Sequence, residues 1–228
     1  MGRAIAVEAA RAGYDVAVHY RTSAEQARQT ADEIRALGRR AALIQADLTD
    51  ESAPQAVVDQ TVDQLGGLNA LVNNASVYEP SRLGEMSHVC WRVHLETNLI
   101  APAMLAQAAW PHLRRCPPGH IVNLCDIGGD RPWTSYVAYC ASKSGLINLT
   151  RALAKAMAPE VFVNGISPGV VLPPEGCDEQ TRKLALARVP LDREGRPEDV
   201  AALVRFLLER NTYILGQIIN VDGGRSTA

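Results

Sequence analysis

Six short β-rich runs alternate with helix-period segments from one end of the chain to the other. A strand that re-enters a sheet parallel to its predecessor needs a crossover of a dozen or more residues, and a helix fills that gap. The runs are Val16 to Tyr20, Arg40 to Ala46, Leu68 to Asn73, His120 to Leu124, Val161 to Ile166 and Gln217 to Val221. Helices are predicted over Gly2 to Ala12, from Ser23 to Leu37, and from Thr49 or Asp50 to about Leu65. Others are predicted from about Trp91 to Arg115, from Tyr136 to Ala158, and onward from Pro197. Gly13 and Gly38 follow helices where a missing Cβ suits a left-handed position, and Ser23 can cap. Pro197 stands at a first helical position, where its absent N–H costs nothing. The prediction is an α/β fold, a doubly wound parallel sheet covered on both faces. No linker or charge block interrupts it, so residues 1–228 are read as one domain.

Composition removes several function classes. The 228 residues are 47% hydrophobic and 21% charged, which supplies a core and argues against disorder. With 23 Lys+Arg against 25 Asp+Glu the net charge is -2, without the basic excess of a nucleic-acid binder. Cys90, Cys116, Cys125, Cys140 and Cys177 show neither CxxC nor Cys/His spacing. Neither a disulfide framework nor a metal site is expected, and a reducing cytoplasm is the expected location. Arg3, Glu8 and Arg11 break the apolar character of the N-terminus, and no apolar run approaches the roughly 20 residues that span a bilayer.

A nucleotide-binding sheet of this kind opens with a buried strand and a glycine-rich turn that sets phosphate at a helix N-terminus. Gly2 reads as the last glycine of a GxxxGxG-type turn. The first strand and the earlier glycines are absent from these residues, so either the true start lies upstream of Met1 or the protein is compromised as it stands.

The sharpest chemical signal is Tyr139-Cys140-Ala141-Ser142-Lys143. Four residues is close to one helical turn, so phenol and ammonium share a face of the Tyr136–Ala158 helix. A nearby cation is expected to lower the phenol toward a pKa useful for proton transfer. Alone, YxxxK is an ordinary helix-face pair. Here Asp126 ends a strand about one turn-and-loop upstream, Asn73-Asn74-Ala75 ends another, and Pro168-Gly169 follows a third. Strand C-termini are where open α/β sheets bind ligands.

With these words, Asn98 in Glu96-Thr97-Asn98 and the closing Asp222-Gly223-Gly224, the sequence resembles the short-chain dehydrogenase/reductase family from Gly2 to Gly224. The resemblance implies a Rossmann-like fold and hydride transfer from a nicotinamide dinucleotide, with Tyr139 as proton donor. It implies that Lys143 lowers the tyrosine pKa and holds the nicotinamide ribose, and that Asn98 supports a water-linked relay to Lys143. Cofactor contacts are implied at Gly2, Asn74, Ala75, Tyr139, Lys143, Pro168 and Gly169, with Asp47 beside the adenine.

Asp126 stands where most members of that family carry serine. A serine hydroxyl donates to a substrate carbonyl, whereas an ionised aspartate only accepts. It suits a substrate with N–H donors, or one that takes a proton from a carboxyl raised by a closed site. A 2-amino-4-oxopteridine offers such donors, and its C=N bonds take hydride at carbon and a proton at nitrogen. The Asp variant resembles the pteridine reductase branch, including dihydromonapterin reductase-like members. Ser76 and Tyr78, in Asn73-Asn74-Ala75-Ser76-Val77-Tyr78, are the further expected substrate contacts; Tyr78 can stack on a flat heterocycle. His19-Tyr20-Arg21-Thr22-Ser23 is similar to that branch's HYxRS segment. Arg21, Thr22 and Ser23, in place of an acid, suit the 2′-phosphate of NADPH.

Residues 170–190, after Pro168-Gly169, correspond to the family's substrate lid. The helices near Trp91–Arg115 and Tyr136–Ala158 are those the family uses for dimer contacts, so a homotetramer is implied. The nearest alternative is a short-chain reductase of a carbonyl such as a 3-oxoacyl thioester. A catalytically silent scaffold protein, lacking the phosphate-binding turn, is the alternative from another class.

Overall fold

The computed structural model describes residues 1–171 and 179–227. Its strands are β1 (Val16–Tyr20), β2 (Ala41–Gln45), β3 (Ala70–Asn73), β4 (Gly119–Leu124), β5 (Val161–Pro168) and β6 (Ile218–Val221). The helices are α1 (Gly2–Arg11), α2 (Ala24–Ala36), α3 (Ala53–Leu65), α4 (His88–Leu95), α5 (Ala101–Leu113), α6 (Val137–Met157), α7 (Glu179–Leu186) and α8 (Pro197–Glu209). The β/α alternation read from the sequence is present, and every ladder is parallel.

The strands form two sheets, β1-β2 and β3-β4-β5-β6, and no ladder joins β1 to β3 among the described residues. In the larger sheet Val72 pairs with Val122, Val122 with Asn164, and Ile166 with Ile219. Successive side chains point to opposite faces, so one strand feeds two cores. Ile121 and Val163 pack with Leu105, Leu113 and Met157 on the face covered by α3, α5 and α6. Val122, Leu124 and Ile166 pack with Ile5, Val204 and Leu207 on the face covered by α1 and α8.

Several boundaries differ from the sequence reading, each for a local reason. The helix predicted from Thr49 or Asp50 begins at Ala53, because Asp47 Oδ1 accepts both the Thr49 N–H and the Thr49 hydroxyl and holds that stretch as a turn. Ser23 is the N-cap residue of α2, yet its side chain makes no capping bond. The helix predicted from Trp91 begins at His88, where the Ser87 hydroxyl accepts the Cys90 N–H. It then passes through a π-turn at Glu96–Ile100 before continuing as α5. Gly13 and Gly38 adopt φ of +94° and +76°, as their places after α1 and α2 require. Of the predicted lid, residues 172–178 lie outside the described residues; α7 occupies part of the remainder.

Candidate active site

Asp126, Tyr139 and Lys143 meet at the C-terminal end of β4. Asp126 leaves the strand in extended conformation and caps a short 3₁₀ turn, Ile127–Gly129, its Oδ1 accepting the Gly128 N–H at 2.7 Å. That cap leaves Oδ2 free to accept the Tyr139 hydroxyl at 2.8 Å. One helical turn along α6, the Lys143 ammonium donates to the Leu124 carbonyl at 2.7 Å and lies 5.8 Å from the centre of the Tyr139 ring. Tyr139 and Lys143 are buried, and Asp126 is partly buried. Gly129 is obligatory beside them, because a Cβ there would sit 2.7 Å from Ile147 Cδ1 and 3.0 Å from the Lys143 backbone.

Burial dominates the electrostatics. It raises the Asp126 carboxyl against the pull of the Gly128 N–H, the Tyr139 hydroxyl and the Lys143 and Arg225 charges. It also raises the Tyr139 phenol, and the Asp126 carboxylate raises it further. Burial lowers the Lys143 ammonium, opposed by Asp126. The sequence reading expected the ammonium to depress the phenol. In this structure burial and the adjacent carboxylate outweigh it, and the phenol keeps its proton.

Aromatic rings wall this cluster. Tyr78 stacks on Tyr136 at 4.4 Å and meets Tyr139 edge-on at 4.7 Å, while Trp133 lies nearly parallel to Tyr139 at 6.4 Å. Sequence reasoning singled out Tyr78 but passed over Trp133, Tyr136 and Arg225, whose Cζ lies 5.7 Å from the Trp133 ring centre. The only sequence signal for the first two is their closeness to Tyr139.

Asn98 is fully buried on the π-turn, where the extra residue re-aims the helix. Its Oδ1 accepts the Val77 N–H and the Ser76 hydroxyl, and its Nδ2 donates to the Val77 carbonyl and the Ser142 hydroxyl. Its side chain ties the loop after β3 to α6 and makes no hydrogen bond to Lys143. In a separate set of bonds Asn73 donates to Asn123, which donates to Thr150, locking the ends of β3 and β4 to α6.

A cavity of about 1320 Å³ fills the gap between β1 and β3 along their whole length, from Asp15 and Gly66 at one end, past Val16, Val18, Leu71 and Val72, to Arg21 and Asn74 at the C-terminal ends of the strands. Gly2, Arg21, Ser23, Asp47, Asn74, Ala75 and Ser76 all line it. Thr22 stands between two of these residues at the end of β1. At Gly2 a Cβ would lie 2.8 Å from Asn74 Nδ2. Arg21 is exposed and lies 3.9 Å from Asp47, whose carboxyl is held below its usual range by the Thr49 bonds. Thr97 lines the same cavity, and its Oγ1 is buried without a hydrogen-bond partner among the described residues. The lining stops short of Tyr139, Asp126 and Lys143. Pro168 and Gly169 also lie outside it, at the end of β5, where a Cβ on Gly169 would meet Asp222 at 2.7 Å.

No cluster of His, Cys, Asp and Glu suited to a metal occurs among the described residues, and no described helix is long and apolar enough to cross a membrane. Cys125 is buried behind the site, its thiol pushed up to about 11 by that burial.

The chain matches the family model described as enoyl-(acyl carrier protein) reductase over residues 1–226. It is 34% identical to a 3-oxoacyl-[acyl-carrier-protein] reductase FabG of Staphylococcus aureus, covering 98% of this chain and 93% of that protein. Among solved structures, FolM alternative dihydrofolate reductase 1 from Brucella canis, complexed with NADP, superposes with a TM-score of 0.91 at 32% identity, covering 99% of this chain and 89% of that one. A blue fluorescent protein from a metagenomic library, in complex with NADPH, gives a TM-score of 0.90 at 30% identity, covering 97% and 92%. With its parallel sheets, its YxxxK pair beside the β4 terminus and these relatives, the chain belongs to the short-chain dehydrogenase/reductase family and is an oxidoreductase.

Proposed function

We propose that this oxidoreductase is an NADPH-dependent reductase of a pteridine, such as a dihydropterin or dihydrofolate, with Tyr139 as proton donor. The observation that carries the reading is the 2.8 Å bond from the Tyr139 hydroxyl to Asp126. Asp126 occupies the place of a carbonyl-orienting hydroxyl, and an ionised carboxylate there repels a carbonyl oxygen and accepts from N–H groups. Tyr78, Trp133 and Tyr136 surround the pair with flat apolar surface suited to a heterocycle. The FolM structure from Brucella canis supports the same substrate class by its likeness.

The residues present fit a dinucleotide. At its C-terminal end the gap between β1 and β3 carries Gly2, Asn74 and Asp47, the Thr97 hydroxyl, which has no hydrogen-bond partner among the described residues, and Arg21 for a 2′-phosphate. Ser23 lines it too, with Thr22 next in sequence, while Pro168-Gly169, Tyr139 and Lys143 would hold the nicotinamide end. When bound, the nicotinamide supplies the hydride. The chain's own residues handle the proton. Tyr139 keeps its proton because its surroundings oppose phenolate, and gives it up when negative charge develops on the substrate nitrogen. Asp126 accepts from substrate N–H groups with the oxygens that take the Gly128 N–H and the Tyr139 hydroxyl, and burial makes it a more basic acceptor than a carboxylate in water. Lys143, pinned on Leu124, supplies positive charge that stabilises the phenolate left behind. Asn98 holds Ser76 and the Val77 backbone, and so the position of Tyr78 one residue further on.

A second reading, reduction of a 3-oxoacyl thioester, is favoured by the 34% identity to the Staphylococcus aureus reductase. NADPH oxidation assayed in parallel with dihydrobiopterin, dihydrofolate and a 3-oxoacyl thioester separates the two. In the same assays Asp126→Ser should reduce pteridine turnover steeply and leave or improve thioester turnover. Undiminished pteridine turnover in that variant removes the role given to Asp126. Assembly as a homotetramer through α5 and α6 and a cytoplasmic location belong to the same proposal. The exposed Ile100 and Met104 on the helix formed by α4 and α5 support the assembly.

A further inference from the structure

We infer that Arg225, whose charge lies over the Trp133 ring at the rim of the site, selects substrates that carry an anionic group, a carboxylate or a phosphate, at the end remote from the reduced bond. The inference rests on the reading of Tyr139 and Asp126 as the reducing centre and adds a requirement to it.

Arg225 follows β6, on the same strand-end edge that carries Asp126 after β4. The turn that presents it is pinned. Asp222 accepts the Gly224 N–H through one carboxylate oxygen at 3.0 Å and the Ser226 N–H through the other at 2.7 Å. Gly223 and Gly224 adopt φ of +63° and +86°, and a Cβ on Gly224 would press on Pro190 at 3.1 Å. The arginine backbone therefore sits on a turn that only glycines permit. Its Cζ lies 5.7 Å from the Trp133 ring centre, and Trp133 in turn lies parallel to Tyr139 within 12°.

A guanidinium drawn to an aromatic ring carries five N–H donors and no acceptor, and the ring does not satisfy them all. Those donors form a fork that matches a carboxylate or phosphate in two parallel hydrogen bonds. Among the described residues no ion pair engages Arg225, although its charge reaches the Asp126 carboxyl. A half-buried cation separated from the proton donor by one aromatic ring is placed for the tail of a substrate whose ring lies against Tyr139. A neutral side chain there would gain nothing from it.

The test uses the full-length protein with two substrate pairs. For pteridines, dihydrofolate carries carboxylates and dihydrobiopterin carries none. For thioesters, a 3-oxoacyl coenzyme A carries phosphates and the matching N-acetylcysteamine thioester carries none. In Arg225→Ala the ratio of kcat/KM, anionic over neutral, should fall at least fivefold in whichever pair the wild type reduces, chiefly through KM. Arg225→Lys should restore part of it. An unchanged ratio overturns the inference. Absence of pteridine turnover in the wild type overturns the pteridine reading instead, and the thioester pair then decides the role of Arg225 independently.

Discussion

The Tyr139 hydroxyl donates to Asp126 across 2.8 Å, and burial raises both partners. The two groups keep a proton between them where isolated side chains in water would divide it differently. A donor that holds its proton until charge appears on the substrate is what acid catalysis of ring reduction requires.

Tyr139→Phe keeps the ring and removes that proton. Turnover of the preferred substrate should fall by about 10²- to 10⁴-fold, the usual contribution of a positioned general acid. Single-turnover NADPH oxidation measures it. Retention of more than about a tenth of the wild-type rate would contradict the donor role.

Asn98→Ala should destabilise the fold by about 2–4 kcal/mol, because it strands the Val77 N–H and carbonyl that Asn98 satisfies and removes the tie to Ser142. Urea unfolding midpoints report it. A loss below about 1 kcal/mol would mean that the loop after β3 finds other partners.

Arg21→Ala should raise KM for NADPH about tenfold or more, the worth of a charge-assisted bond to phosphate, and change KM for NADH far less. Steady-state kinetics with the two cofactors distinguish this from a general loss of activity. Equal effects on both would remove Arg21 from cofactor selection.

Acid should destabilise the protein through His120. Burial lowers its pKa below 6.5 in the folded state. Such a group contributes stability that is present above pH 6.5 and lost as pH falls through the folded pKa, because the unfolded chain takes up the proton first. His19, lowered by burial as well, acts in the same direction. Wild-type stability measured by urea unfolding should therefore fall as pH drops below 6.5. In His120→Gln that slope should be shallower, by up to about 1.4 kcal/mol per pH unit. An identical slope would place the titration elsewhere.

The parts legible in the sequence are those with a period or a fixed local chemistry. The β-rich runs became strands at nearly the expected residues, and the four-residue spacing put Tyr139 and Lys143 on one buried face of α6. The π-turn was not legible, because one extra residue inside a long apolar helix leaves the pattern of Trp91 to Arg115 almost unchanged. Nor was the reversal of the Tyr139 shift, since the ammonium is visible from spacing but the degree of burial is not. The approach of Arg225 to Trp133 joins residues far apart in the chain, and only the packing of β6 beside β5 brings them together.

The separation of β1 and β2 from the other four strands has a mechanical consequence. A two-stranded ribbon has little stability of its own, so this pair stays in place through α1 resting on α8 and α3 on α5. The seam between the halves is thus bridged by helix packing and by no ladder among the described residues, so a truncation or substitution that loosens α1 from α8 would release β1 and β2, and with them Arg21 and Asp47, from the rest of the fold.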